Sequence, residues 1–126
     1  MAAKDVHLSD VQFAVMRALW DAGKATTAEL HQSAGKPRDL AYTTISTILT
    51  RLEKRGLVKS AKDQNERVFQ ALVTEGEVAR SMVSSLVDTL FRGDPQALVS
   101  HLVKEKEIDR GDLEALRKLM SKDGKK

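Results

Sequence analysis

The residues from Ala41 to Leu57, AYTTISTILTRLEKRGL, combine hydroxyls and cations on one face of a predicted helix. Threonine is a mediocre helix former because its branched side chain loses rotamer freedom, so helix stability does not explain this face. Short hydroxyls and cations suit contacts with base edges and phosphate oxygens. An apolar stripe at helical spacing would anchor the helix in a core, and it consists of Ile45, Ile48, Leu49 and Leu52. The candidate nucleic-acid face is Thr43, Thr44, Ser46, Thr47, Thr50, Arg51 and Lys54.

A glycine and a leucine mark the end of this helix. Gly56 stands where a left-handed residue ends a helix, and Leu57 follows where a Schellman motif would press it against Leu52. Arg51 and Lys54 complement the negative end of the helix dipole. Taken alone, the segment is also compatible with an ordinary amphipathic helix whose cationic end is only solvated.

The rest of the chain offers little for catalysis or metal binding. His7, His31 and His101 lack the i, i+4 spacing that would place two of them on one helix face. The absence of cysteine excludes disulfides, thiolate metal sites and cysteine nucleophiles. No glycine-rich phosphate loop or prominent carboxylate pair is present in the sequence. We therefore predict that the protein is not an enzyme and uses no metal or cofactor.

The composition is that of a small globular protein with a local excess of positive charge. The 126 residues are 41% apolar and 31% charged, which suits one domain or a small domain with an oligomerisation element. No apolar run could span a bilayer or act as a signal peptide, so we expect a cytoplasmic protein without a membrane partner. Residues 36–67 carry eight lysines and arginines, Arg38 among them, against four acidic residues. Such a segment is the electrostatic footprint of phosphate binding.

The first half of the chain predicts a helix-turn-helix followed by a hairpin. Capping boxes start helices at Ser9 and Thr26, with a possible short strand at 24–26, and Asp39 is the candidate N-cap of the threonine-rich helix. Residues 57–61 and 67–73 are β in character around a polar tip. A hairpin directly after a polar-faced helix is typical of a winged helix, and the alternative is a plain two-stranded edge. A wing would add phosphate contacts from Lys62, Asn65 and Arg67.

The second half predicts helices with more apolar surface than they can bury among themselves. Capping residues start these helices at Thr74, Asp94 and Asp109. We assign residues 1–73 to a winged-helix DNA-binding domain, 74–121 to a helical dimerisation domain and 122–126 to a disordered basic tail. The helices pack either on the first domain or, as we favour, in a dimer interface. That interface would contain Met82, Leu86, Leu90, Leu98, Leu102, Leu113, Leu116 and Leu119.

Three segments, 8–23 (LSDVQFAVMRALWDAG), 41–57 and 98–120 (LVSHLVKEKEIDRGDLEALRKLM), resemble the penicillinase repressor family. This family contains the BlaI-, MecI- and CopY-like bacterial repressors of β-lactamase, methicillin-resistance and copper-homeostasis genes. The resemblance implies an N-terminal winged helix and a C-terminal helical domain. It implies binding of a double-stranded operator with an inverted repeat by a homodimer. It also implies that Tyr42, Thr43, Thr44 and Thr47 approach bases while Arg51 and Lys54 contact phosphates.

The sequence departs from that family at two points. Copper-responsive members have cysteine pairs near the C-terminus, and this chain has no cysteine, so thiolate copper sensing is excluded. In β-lactam-responsive members a membrane-bound sensor leads to cleavage between an asparagine and a phenylalanine. The corresponding residues here are His101 and Leu102. An upstream sensor or protease remains a candidate partner, although the asparagine–phenylalanine bond that is cleaved in those members is absent here.

The fold class predicted from these observations is mainly α with a small β-hairpin, arranged as a winged helix-turn-helix followed by a helical dimerisation domain. The predicted function is that of a sequence-specific DNA-binding transcriptional repressor. One alternative is a ligand-sensing winged-helix regulator with an effector pocket lined by Met82, Phe91 and Met120. Another is a winged helix that binds protein, which would not need the threonine face.

Overall fold

The structure, a computed structural model, describes residues 6–124 and the side chains as far as residue 119. The chain divides into two compact units, one ending at Val83 and the other starting at Ser84. The elements follow in the order α1 (Asp10–Ala22), β1 (Lys24–Thr26), α2 (Thr27–Leu30), α3 (Tyr42–Lys54), β2 (Val58–Asp63), β3 (Glu66–Ala71), α4 (Glu75–Phe91), α5 (Pro95–Lys104) and α6 (Arg110–Gly124).

Helix α1 begins with the predicted capping box. The Ser9 hydroxyl accepts from the Gln12 amide at 3.2 Å, and the Gln12 side chain accepts from the Ser9 amide at 3.0 Å. These contacts satisfy two amides that the first turn of a helix leaves without partners. The apolar face then buries Val15, Met16 and Leu19 completely.

The link between α2 and α3 differs from the prediction. After α2 the chain continues through a π-helical turn, His31–Gly35, and a 3₁₀ turn, Lys36–Arg38. Asp39 was predicted to cap α3, and this prediction is wrong. Asp39 adopts the left-handed conformation, with φ of 57°, and ends the 3₁₀ turn. The residue that precedes α3 is Ala41, which offers no side-chain hydrogen bond to the helix.

Helix α3 ends in the predicted Schellman motif. Gly56 has φ of +79°, a conformation that glycine adopts without strain. The Leu57 amide donates to the Leu52 carbonyl at 3.0 Å, and the Gly56 amide donates to the Glu53 carbonyl at 3.0 Å. Leu57 is buried, so the motif fixes the direction in which the chain enters β2.

The predicted hairpin and the possible strand at 24–26 form one antiparallel sheet of three strands in the order β1-β3-β2. Strand β1 pairs with residues 68–70 of β3, and β2 pairs with β3 from Val58 opposite Ala71 to Asp63 opposite Glu66. Gln64 and Asn65 form the turn, with φ of 53° and 69°. Two positive φ values in succession are typical of the type I′ turn, whose twist matches that of the strands. The hairpin of β2 and β3 is called the wing below.

The core of the first unit joins helices, sheet and the first half of α4. Val78 in α4 is fully buried, and the Ser81 hydroxyl donates to the Val6 carbonyl at 3.2 Å. The Trp20 indole donates to the Val73 carbonyl at 2.8 Å. These contacts explain why the first unit extends to Val83, beyond the domain boundary predicted at residue 73. The buried apolar core consists of Val6, Leu8, Val15, Met16, Leu19, Ala25, Leu30, Ala34, Ile45, Leu49, Leu52, Leu57, Val58, Phe69, Val73 and Val78.

The second unit contains the end of α4 with helices α5 and α6. The Asp94 carboxylate accepts from the Gln96 amide at 3.0 Å, with Pro95 in the first turn of α5, as predicted. Asp109 and Asp112 each accept from the other's amide, and this exchange starts α6. Helix α6 continues to Gly124, so residues 122–124 of the predicted tail are helical. Lysine is a good helix former, so the basic residues of the predicted tail do not by themselves end the helix. Residues 125–126 lie outside the described residues.

Candidate nucleic-acid interface

Helix α3 separates an anchoring face from an exposed polar face. Ile45, Leu49 and Leu52 have no exposed surface, which fixes the rotation of the helix about its axis. Residues at spacing i, i+4, i+7 and i+11 then form a single exposed line along the opposite side. This line consists of Thr43, Thr47, Thr50 and Lys54. Thr44 and Arg51 are exposed on one flank, and Tyr42 and the half-buried Ser46 lie on the other.

Two polar side chains of α3 are held by contacts within the chain. The Thr50 hydroxyl donates to the Ser46 carbonyl at 3.0 Å, which leaves its oxygen lone pairs available as acceptors. The Tyr42 ring is half exposed and meets the edge of the His31 ring at 5.9 Å between centroids. The His31 Nε2 lies 2.9 Å from the Leu40 carbonyl oxygen. The turn after α2 therefore holds the ring that precedes the threonine line.

A cleft of about 380 Å³ brings several predicted site residues together. It lies between the polar face of α3, the start of α2 and the tip of the wing. Hydroxyl, phenol, amide and guanidinium groups line it together with the Glu66 carboxylate, and the hydrogen-bond donors among them are of the kinds that contact a sugar-phosphate backbone. The predicted site residues that line it are Tyr42, Ser46, Thr50, Asn65 and Arg67.

The wing presents two further predicted residues and holds a third. Lys62 and Asn65 are exposed at the tip of the hairpin. The Arg67 Nη2 instead donates at 2.7 Å both to the Glu53 carboxylate and to the Ser60 hydroxyl. Its guanidinium also lies 5.2 Å from the centre of the Phe69 ring. Arg67 therefore joins the wing to α3, a role that its positive charge alone did not indicate.

Arg38 lies apart from the other predicted contact residues. Its Nη1 donates to the Ala34 carbonyl at 3.1 Å, and it lines a different cleft, of about 770 Å³, formed by α1, β1 and α2. Both acidic and basic side chains line this second cleft, among them Asp10, Arg17 and Glu29. The structure therefore does not group Arg38 with the threonine line.

The residues predicted for a dimer interface fall into three groups by their exposure. Met82 packs against the core of the first unit and so is partly used within the chain. Leu98 and Leu102 are half-buried. The remaining five are exposed to between 37% and 66%, and they are Leu86, Leu90, Leu113, Leu116 and Leu119.

Two of the three residues predicted to line an effector pocket have contacts within the chain. Met82 packs on the core of the first unit, and the Phe91 ring meets the His101 ring at 5.8 Å. The side chain of Met120 lies outside the described residues.

Three residues of the interface were not singled out from the sequence. Glu53 and Ser60 hold Arg67, and His31 contacts Tyr42. Glu53 lies on the wing side of α3, and only the pairing of β2 with β3 brings Ser60 and Arg67 to it. The sequence signal that could have drawn attention to them is Glu53, a carboxylate on a helix whose exposed side chains are cations and hydroxyls.

Within residues 6–124, no group of three or more histidine, cysteine, aspartate or glutamate side chains is placed to hold a metal ion. Over the same range, no helix has the length and apolar character needed to cross a membrane.

Comparison with known proteins places the chain among bacterial repressors. The sequence profile of the penicillinase repressor family matches residues 8–122. The chain is 35% identical to the transcriptional regulator BlaI of Mycobacterium tuberculosis, over 94% of this chain and 86% of that protein. It is 26% identical to the penicillinase repressor of Staphylococcus aureus, over the full length of both chains. The family consists of transcriptional repressors, so the prediction that the protein is not an enzyme is confirmed.

Comparison with solved structures identifies a protein of the same family. The structure of the Bacillus licheniformis BlaI monomeric form in complex with the blaP half-operator superposes with a TM-score of 0.52 at 27% identity. The match covers 59% of this chain and 90% of that chain. The predicted winged-helix fold is thereby confirmed. The chain belongs to the penicillinase repressor family of winged-helix, DNA-binding transcriptional repressors.

Proposed function

We propose that the protein binds an inverted-repeat operator as a homodimer and represses transcription from it. The observation that supports this function best is the line of three threonines and a lysine along α3, opposite a fully buried face. A helix of this kind can enter the major groove with its hydroxyls toward base edges and its cations toward phosphates. The BlaI relative that superposes on this fold was solved in complex with a half-operator.

The contacts divide into those that read bases and those that position the protein. Tyr42, Thr43, Thr44 and Thr47 lie on the N-terminal part of α3, the part of a recognition helix that reaches base edges. Cations fix the register along the backbone without reading sequence. The proposed phosphate contacts are Arg51 and Lys54 on α3 and Lys62 and Asn65 on the wing, with Ser46 and Thr50 along the cleft between them.

Dimerisation supplies the discrimination that one recognition helix lacks. A single helix reads few base pairs, whereas two helices held about 34 Å apart read both halves of a palindrome. Linking two half-sites also raises the effective concentration of the second contact. The exposed leucines of α4 and α6 support an interface with a second copy. They recur every three or four residues along each helix, so each helix presents an exposed apolar stripe, and such stripes mark interaction surfaces. A symmetric interface of this kind matches the symmetry of an inverted repeat.

The test uses a duplex that the full-length protein selects from a randomised pool. Titration by fluorescence anisotropy should give two chains per duplex when both half-sites are intact. Destroying one half-site should weaken binding by about a hundredfold or more, because the second contact is lost. Equal affinity for the intact and half-destroyed duplexes would contradict a dimeric reader.

A further inference from the structure

Three side chains join the recognition helix to the wing. The Glu53 carboxylate of α3 accepts from the Ser60 hydroxyl of β2 at 2.8 Å and from the Arg67 guanidinium of β3 at 2.7 Å. Arg67 and Ser60 also contact each other at 2.7 Å. Both partners of the ion pair are partly shielded from water, with side chains 53% and 33% exposed for Arg67 and Glu53. The contact among Glu53, Ser60 and Arg67 is called the brace below.

The brace lies where the wing loses its other support. Strand β1 pairs with β3 only from Val68 to Gln70. From Arg67 outward, β2 is the only strand among residues 6–124 that pairs with β3, through the pairs of Lys62 with Arg67 and Asp63 with Glu66. A two-stranded hairpin is marginally stable without something to cover it. The first residue of β3 beyond the support of β1 is therefore the residue that is tied to α3.

The brace also explains why a carboxylate stands on a face that would approach phosphates. An unpaired carboxylate there would repel DNA, and replacing it should strengthen binding by electrostatics alone. Arg67 neutralises the charge and is itself held against Phe69, a core residue that is 3% exposed. The guanidinium is thus occupied within the chain.

We propose that Glu53, Ser60 and Arg67 are positioning residues that set the angle of the wing to the recognition helix and so place Lys62 and Asn65 on the DNA backbone. This inference rests on the proposed function. Arg67 acts through Glu53 and does not itself contact phosphate. Its positive charge therefore contributes to the geometry of the interface and not to the number of phosphates neutralised.

The first test compares two carboxylates of the same region in the full-length protein. The probe is the duplex selected by the wild-type protein from a randomised pool. Glu53→Gln should weaken binding about threefold to fivefold, the size expected for a partly exposed ion pair. The matched control is Glu66→Gln, an exposed carboxylate at the wing tip outside the brace, which should bind equally or more tightly. Binding by Glu53→Gln that is as tight as wild type, or tighter, would overturn the proposal.

The salt dependence separates positioning from direct phosphate contact. Arg67→Gln leaves the Glu53 carboxylate unpaired and should weaken binding more than Glu53→Gln does, whereas the double variant should be no weaker than Glu53→Gln. The double variant removes the ion pair without changing the net charge, so its plot of log affinity against log salt should keep the wild-type slope. A slope reduced by about 0.9 would show that Arg67 neutralises a phosphate, and it would overturn the inference.

A measurement without DNA tests the effect of the brace on the wing independently of the proposed function. Amide hydrogen exchange at residues 62–67 should be faster in Glu53→Gln and Ser60→Ala than in the wild-type protein, while exchange in the core of α3 is unchanged. Unchanged exchange at the tip in both variants would overturn the brace. A wild-type protein that selects no duplex would instead overturn the proposed function and the role of the brace in it, whatever the exchange rates.

Discussion

Thr47 and Lys54 lie on the same exposed line of α3, but they would meet different parts of a duplex. Thr47 lies in the N-terminal half of the helix, where a short hydroxyl and a methyl group can approach base edges. Lys54 is at the C-terminal end, where a long cationic side chain reaches the backbone. Replacing Thr47 should therefore change sequence preference, whereas replacing Lys54 should change overall affinity for DNA.

Replacing each residue by alanine tests this division. Thr47→Ala should reduce the preference for the selected duplex over a scrambled one, with little change in salt dependence. Lys54→Ala should weaken both duplexes and lower the salt slope by about one unit, because one fewer counterion is released. Both are measured by anisotropy titration at several salt concentrations.

The charge control for Lys54 is Lys24→Ala, since Lys24 is an exposed lysine that lines the cleft of α1, β1 and α2 instead of the one beside α3. This variant should keep the wild-type salt slope. Equal slopes for Lys54→Ala and wild type would refute the phosphate assignment.

At the scale of elements, the end of α3 determines where the wing begins. Gly56 has φ of +79°, and, apart from Gly56 itself and its two neighbours, no atom in the described part of the chain lies within 4 Å of the position that a Cβ would take. Gly56→Ala should therefore destabilise the fold through backbone strain alone, by about 1–2 kcal/mol. Gly76→Ala in α4 is the matched control, because its site is equally open and its φ is not positive. It should be neutral or stabilising by roughly 0.5–1 kcal/mol. Chemical denaturation distinguishes them, and equal effects would argue against strain at Gly56.

The start of α4 gives the fold a local dependence on pH. The Thr74 amide donates to the Glu77 carboxylate at 2.8 Å, and this bond, together with the Thr74 hydroxyl, holds the pKa of Glu77 below its ordinary value of 4.5. A lowered folded-state pKa contributes stability above the unfolded value, and this contribution is lost as pH falls through the folded value. The difference in unfolding free energy between wild type and Glu77→Gln should therefore shrink as pH falls below 4.5. A difference that stays constant with pH would exclude this linkage.

Elements whose signals are local could be predicted from the sequence. The capping boxes at Ser9, Thr26 and Thr74 and the glycine end of α3 all depend on residues within one helical turn. Asp39 was misjudged because its side chain suits an N-cap, while the chain needs a left-handed residue there to end the 3₁₀ turn. Aspartate tolerates that conformation better than most residues.

The candidate site was only partly predictable for a related reason. The exposed face of α3 follows from periodicity, and its residues could be named from the sequence. The brace depends on strand register, which places Ser60 opposite Phe69 and Lys62 opposite Arg67. The spacing of residues within a helix or a strand does not show which strand residue a given residue of α3 will contact. Arg67 was therefore grouped with the DNA contacts by its charge.

At the scale of the whole molecule, the exposed leucines of α4 and α6 are expected to pair two chains. Leu119→Glu should raise the dissociation constant of the dimer about tenfold or more, because a carboxylate buried without a partner is costly. Sedimentation equilibrium measures the constant. Leu72→Glu is the control, since Leu72 is an exposed leucine of the first unit, 51% exposed, outside the proposed interface. Dimerisation that is unchanged by Leu119→Glu would remove this surface from the interface.

Repression by a protein with this fold requires that it find one sequence among many. The most direct measurement is to sequence the genomic DNA fragments that the purified full-length protein retains at a low and a high salt concentration. We expect enrichment of an inverted repeat that persists at high salt, because base contacts add to the salt-dependent phosphate contacts. Retention of fragments without a common sequence, lost as salt is raised, would contradict the claim that α3 reads an operator.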